Sequence, residues 1–372
     1  MRMFEHCAFR CRLTRGETAR LSWSGGRPGV SNSAPMAWWY RRHPHLLRLL
    51  YVALLLLGIA PAVCGADSPR VWRLAHVVAP DSLGGHTAAQ FITMVNSRLQ
   101  GRLVIQVAPA GDLGSDEQVL RGVKLGAPEM TLISSVMSTF DAKFGVFEMP
   151  YLISTRAQMK QVAEHPQVCA ALFDTLPAQG LRVLGVWENG FRHITNNVRP
   201  IVTPTDLHGL KLRVPSGLWR VELFKTYDTR PLPMPFTEVF GALQAGVVDG
   251  QENPLAQIAS QHFEQVQRYL SLTGHVYSPI FLLVSEEVWQ TLPQDLQGEL
   301  ALVATQAGDF SRAEGERLDQ ELLGTLVPPM QVNRVDTEAF LRASAPLYDK
   351  FSRQVPGGRE LITVIQSLRE RE

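Results

Sequence analysis

The sequence predicts an α/β fold of two domains, each built from alternating strands and helices. Three observations carry this. Residues 71–133 read as strand, helix, strand, helix, strand, the order of a doubly wound half-domain. A second run, residues 210–254, opens on another strand followed by helices. A long helical pattern then starts at Leu292-Pro293 and continues towards Leu323.

The elements follow in order. Residues 71–77 read as the first strand, and His76 to Ser82 as the loop that leads to a helix. Ala88, Phe91, Ile92, Val95 and Leu99 form one stripe of that helix over residues 85–99. Residues 103–107 give a second strand, 116–125 a helix stopped by Gly126, and 130–133 a third strand. In such a sheet the loops after strands face the ligand crevice. That rule brings His76, Asp81 and Ser134 to a crevice; the Asp and Ser residues of these loops equally suit helix capping. Residues 159–173 read as one helix. Residues 182–187 form a strand that runs on through Glu188 to Arg192, where the chain crosses into the second domain.

There Leu210, Leu212 and Val214 alternate with Lys211 and Arg213, the period of a strand with one buried face, and Pro215 ends it. Helices are expected over 216–227 and 237–245, the latter capped by Thr237 and closed by Gly246. A further helix is expected to begin with Asn253 as its N-cap and Pro254 in its first turn. Residues 269–273 read as a strand, 276–284 cross back, and 328–372 add further helix.

Charge is unevenly spread. Residues 1–66 hold nine Arg, no Lys and two Glu; the rest carries 27 basic and 33 acidic groups. A mildly acidic body argues against nucleic acid or an anionic membrane surface as partner, so any affinity for anions must be local. Arg41, Arg42 and Arg48 precede a 16-residue apolar run, 49–64, followed by the small residues Gly65 and Ala66. This is the pattern of a secretory signal peptide, too short for a membrane span of roughly 20 residues. Residues 1–66 are therefore expected to be a leader cleaved after Ala66, with Met36 as an alternative start and retention as an anchor or lipidation at Cys64 as rivals. Of Cys7, Cys11, Cys64 and Cys169, cleavage leaves only Cys169, which excludes an internal disulfide.

Two blocks are specific. One is Leu212-Arg213-Val214-Pro215 followed by Asp249-Gly-Gln-Glu-Asn253-Pro254; the other is Asn189-Gly-Phe-Arg192-His-Ile-Thr-Asn196. At this separation they resemble the DctP family, the extracytoplasmic solute-binding proteins of TRAP transporters, and the resemblance runs from about residue 70 to 353. It implies a fold like the type II periplasmic binding proteins: two α/β lobes joined by a hinge, with one long helix spanning both. Residues 67–189 with 279–318 are expected as lobe I, and 190–278 with 319–372 as lobe II. It also implies that Arg213 pairs with a ligand carboxylate, that Arg192 helps hold the anion or serves the hinge, and that Asn253 bonds a polar group of the ligand. Phe236 matches an aromatic that walls the site or packs in the core, and Ser216 a weaker polar contact. The implied partners are a small and a large integral membrane subunit.

The chemistry is consistent. A guanidinium is always charged and its planar fork matches a carboxylate. Asp249 and Glu252 would repel an anion and are expected to serve basic groups structurally. No nucleophile elbow, His-Glu-x-x-His, Walker loop or Rossmann glycine fingerprint occurs, and the histidines lack metal-ligand spacing, so neither an enzyme nor a cofactor is expected. The expected ligand is a small organic acid. A C4-dicarboxylate comes first because the motifs most resemble that subgroup of the family and because two arginines could hold two carboxylates; sugar acids, sialic acid and oxo or hydroxy acids stay open. A ligand sensor signalling to a membrane receptor is the alternative function.

Overall fold

The computed structural model describes residues 69–108 and 111–369. The expected leader, with its signal peptide, Met36 and Cys64, lies outside the described residues. Ten strands are described: β1 Arg70–Ala75, β2 Leu103–Ala108, β3 Met130–Ile133, β4 Leu181–Asn196, β5 Lys211–Val214, β6 Arg230–Pro233, β7 Gly250–Pro254, β8 Tyr269–Leu272, β9 Tyr277–Ser285 and β10 Gln331–Arg334. The helices used below are α1 Leu83–Arg98, α2 Asp116–Lys124, α3 Leu218–Thr226, α4 Leu255–Ser260 and α5 Gln294–Thr325.

The same arrangement occurs twice. β1 lies between β2 and β3, parallel to both. β5 likewise lies between β6 and β7, again parallel to both. A first strand flanked by the next two creates a switch point, where loops at the carboxyl ends diverge and leave a crevice. The two units share β4. Residues 181–191 of β4 pair antiparallel with β9, which pairs in turn with β3. From Arg192 to Asn196 it pairs with β7 instead, and β8 joins on the other side. Partner exchange occurs at a bulge, where Gly190 has φ +119° and Pro254 Cβ would lie 3.1 Å from an added Cβ. Only glycine takes that conformation without strain.

α5 has 32 residues, a length of about 48 Å. Its buried stripe runs from Leu296 to Leu318. Trp187 Nε1 donates to Ala304 O at 2.8 Å and Glu188 N to Ser311 Oγ at 2.9 Å, which seats β4 on the helix. Further along, Leu318 clusters with Leu83 of α1 and Ala256 of α4. Each sheet unit therefore contributes a helix to one contact on α5.

Several elements differ from expectation. Asn253 does not cap a helix: it lies in β7, opposite His193 of β4, and α4 starts at Leu255 with Pro254 as N-cap. The antiparallel ladder claims the backbone of Asn253, and Pro254, at ψ 156°, is still extended. The expected helix over 159–173 is broken at His165-Pro166, where proline has no N–H to continue it. Thr237 sits inside a single turn, Phe236–Glu238, before the helix Val239–Gln244. β6 and β10 were not expected, since proline-containing Arg230–Pro233 and polar Gln331–Arg334 lack strand alternation.

Candidate functional site

A cleft enclosing about 480 Å³, its open mouth included, lies where the parallel strands end. Val77 and Val78 follow β1, and Ser134 and Ser135 follow β3; both pairs line it. Arg213 and Pro215 enter from the end of β5, Phe236 from the loop after β6, and Asn253 from β7. Asp116, the first residue of α2, faces the same space.

Arg213 is only 2% exposed. Its Nε and Nη2 both donate to Met234 O, at 3.0 and 2.7 Å, and its guanidinium carbon sits 5.9 Å from the ring centre of Phe236. Among the described residues it forms no ion pair. Burial pushes its pKa down, Arg192 adds to that, and Glu252 and Asp116 oppose it; the result is about 9, so the group is charged at neutral pH. A cation whose fork is held by one neutral carbonyl keeps N–H groups free for an incoming anion.

Arg192 also lines the cleft but is already engaged. Its Nε pairs with Glu252 Oε2, and its Nη2 donates to Glu252 Oε1 at 2.9 Å and to Asn253 Oδ1 at 3.0 Å. Glu252 also takes Arg220 Nη1 at 2.6 Å and meets His275 Nε2 at 3.1 Å, while Arg220 reaches Glu148 at 2.6 Å through Nε. Burial disfavours the Glu252 anion, but the two guanidiniums and His275 outweigh it and hold its pKa far below the usual carboxylate range. Burial lowers the His275 pKa to about 4 against the pull of Glu252, leaving it neutral. Two arginines and two glutamates thus balance, as expected of Glu252; Asp249 differs from expectation, because its carboxylate accepts from the backbone N–H of Lys211 at 2.8 Å and forms no ion pair among the described residues. In this structure Glu252 engages Arg192, which leaves Arg213 as the lining arginine without an ion pair among the described residues.

The other expected residues divide. Asn253 and Phe236 line the cleft; Asn253 Nδ2 donates to Gln251 Oε1 at 2.5 Å. Ser134 lines it, with its hydroxyl donating to Pro279 O at 2.7 Å. His76 is buried but stands outside the lining; burial lowers its pKa, and its Nδ1 has no partner among the described residues. Asp81 is exposed and does not reach the cleft, because Val77 and Val78, closer to the end of β1, occupy that wall. Ser216 stands outside the lining and hydrogen-bonds Glu117.

Sequence reasoning missed Asp116, Asn189 and Gln257 as lining residues. Asp116 was legible only as a helix start; as the first residue after the loop following β2, the crevice rule could have found it. Its pKa is raised to about 7, by burial first and by Glu117 second, with Arg213 opposing. Asn189 belonged to a quoted motif without a role, and Gln257 lies in the first turn of α4, directly after β7. Among the described residues, no group of His, Cys, Asp or Glu is placed to hold a metal, and no helix is long and apolar enough to cross a membrane. Cys169 is buried and donates to Ala163 O at 3.4 Å.

Residues 74–354 match the family described as bacterial extracellular solute-binding protein, family 7 (DctP). The uncharacterized protein y4mM of Sinorhizobium fredii is 34% identical over 304 residues, 81% of this chain and 56% of that protein. The chain therefore spans little more than half of that relative. The sugar acid binding protein of Advenella mimigardefordensis, solved with galactonate, is 33% identical with TM-score 0.77, covering 81% of this chain and 98% of that one. A TRAP periplasmic solute binding protein of Sulfurospirillum deleyianum, solved with succinate, is 27% identical with TM-score 0.76, covering 81% and 100%.

Proposed function

This chain belongs to the bacterial extracellular solute-binding proteins of family 7, and from that premise we propose that it captures a small organic acid on Arg213 and delivers it to the small and large membrane subunits of a TRAP transporter. The family consists of solute-binding transport proteins rather than enzymes. The observation that carries the reading is the state of Arg213: a buried cleft cation with no carboxylate partner among the described residues. An anion seated there would receive charge-assisted bonds and would relieve an uncompensated buried charge.

The lobes are proposed as residues 67–189 with 279–318 and 190–278 with 319–372. The exchange of partners along β4 between Phe191 and Arg192 supports this, and so does the contact of both units with α5. Ligand touching both lobes only when they are closed would drive closure by its differential affinity. Arg213 and Phe236 then act from lobe II against Ser134 and Asp116 from lobe I, with Asn253 orienting the polar part of the ligand. His76 supports the lobe I wall. Export through a signal cleaved after Ala66, a periplasmic location and a monomeric state complete the proposal.

One free guanidinium suits one carboxylate. A C4-dicarboxylate such as succinate is the second reading, favoured by the Arg192 side chain that still borders the cleft. A thermal-shift screen of organic acids tests the function: at 100 times its dissociation constant a ligand adds about 2.7 kcal/mol. Stabilisation by neutral sugars or amines, with no response to any carboxylate, would overturn the reading.

A further inference from the structure

Gln257 and Asn189 meet in the wall of the cleft. Gln257 Nε2 donates to Asn189 Oδ1 at 3.2 Å, and the two residues are 4% and 5% exposed. This bond uses one polar group of each amide. It leaves Gln257 Oε1 buried without a partner, and among the described residues nothing accepts from Asn189 Nδ2. Turning both amides over exchanges the roles but still leaves one acceptor and one donor open. Ser135, on the same lining, also has a buried hydroxyl without a partner.

An open acceptor beside an open donor discriminates between ligand groups. A carboxylate only accepts, so it satisfies the donor and faces the acceptor unfavourably. A hydroxyl both donates and accepts, and matches the pair in either orientation. We propose that Gln257, positioned by Asn189, is a specificity-determining residue that reads a hydroxyl of the bound acid, so that the ligands of this cleft are hydroxy acids of the aldonate kind. The inference rests on the reading that Arg213 holds the ligand carboxylate. An acid lacking the hydroxyl leaves Gln257 Oε1 unpaired in the closed cleft, which corresponds to about 10- to 100-fold weaker binding.

Titration calorimetry on the purified protein with pairs that differ by one hydroxyl tests this: 2-hydroxybutanoate against butanoate, 3-hydroxybutanoate against butanoate, malate against succinate. The wild type is expected to prefer the hydroxylated member of at least one pair by about 10-fold or more. Gln257→Met, similar in shape, is expected to bring that ratio near one while changing the affinity for the unsubstituted acid little. Equal affinities within every pair overturn the proposal even if the variant does not fold, and leave the Arg213 reading standing. A preference that survives Gln257→Met overturns the assignment to Gln257. Failure of every acid to bind overturns the Arg213 reading and this inference with it.

Discussion

Replacing Arg213 by methionine separates binding from folding. The guanidinium is 2% exposed, bonds one carbonyl, and forms no ion pair with a carboxylate among the described residues. In the free protein its charge is a liability, so its removal trades two hydrogen bonds to Met234 O for relief from burying a cation. Free-protein stability in guanidinium denaturation is therefore expected to stay within about 1 kcal/mol of wild type or to rise. In the complex the ligand carboxylate loses its partner, at about 3–5 kcal/mol. At tenfold per 1.4 kcal/mol, the dissociation constant rises about 150- to 4,000-fold. Calorimetry on the acid found by the screen gives the first number and equilibrium denaturation the second. An affinity within about threefold of wild type, or a loss of stability as large as the loss of binding, would refute the reasoning.

Three further outcomes follow from the same geometry. Glu252→Ala strands Arg192 as a buried cation and leaves Arg220 only Glu148, and should cost the free protein about 3–5 kcal/mol of unfolding free energy; a loss below about 1 kcal/mol would mean that the network is not structural. Asp116 holds its proton up to about pH 7 in the folded protein but releases it near 3.8 when unfolded. Folding thus favours the protonated form, so the penalty for ionising Asp116 accumulates, and stability declines, as pH rises between those values. Above about pH 7 the ionised carboxylate also repels a bound acid, so affinity should fall from about pH 6 to 8 in wild type and stay level in Asp116→Asn. A pH profile identical in the two proteins would count against this role.

Much of the fold was readable because its signals are local. Alternation at Leu210, Leu212 and Val214 marks β5, and the stripe from Ala88 to Leu99 marks α1. Arg213 was identified from its motif and strand position, and the crevice rule brought Ser134 to the lining. Partnership was not readable. Arg192 and Glu252 are 60 residues apart, and nothing in either motif says that one neutralises the other. Asn253 beside Pro254 carries the signature of a helix start, yet pairing with β4 overrides that local preference. Asp81 followed the right rule in the wrong place, since the cleft takes Val77 and Val78, early in the loop after β1, rather than the loop tip. Gln257 reaches the site only because α4 turns back over β4, a tertiary fact with no local signature.

The most direct measurement is a crystal structure of the protein with its bound acid. A ligand carboxylate with both oxygens about 2.7–2.9 Å from the Arg213 guanidinium, and the Arg192–Glu252 pair intact, is the predicted result. A carboxylate seated on Arg192 with Glu252 displaced, while Arg213 still bonds only Met234 O, would contradict it.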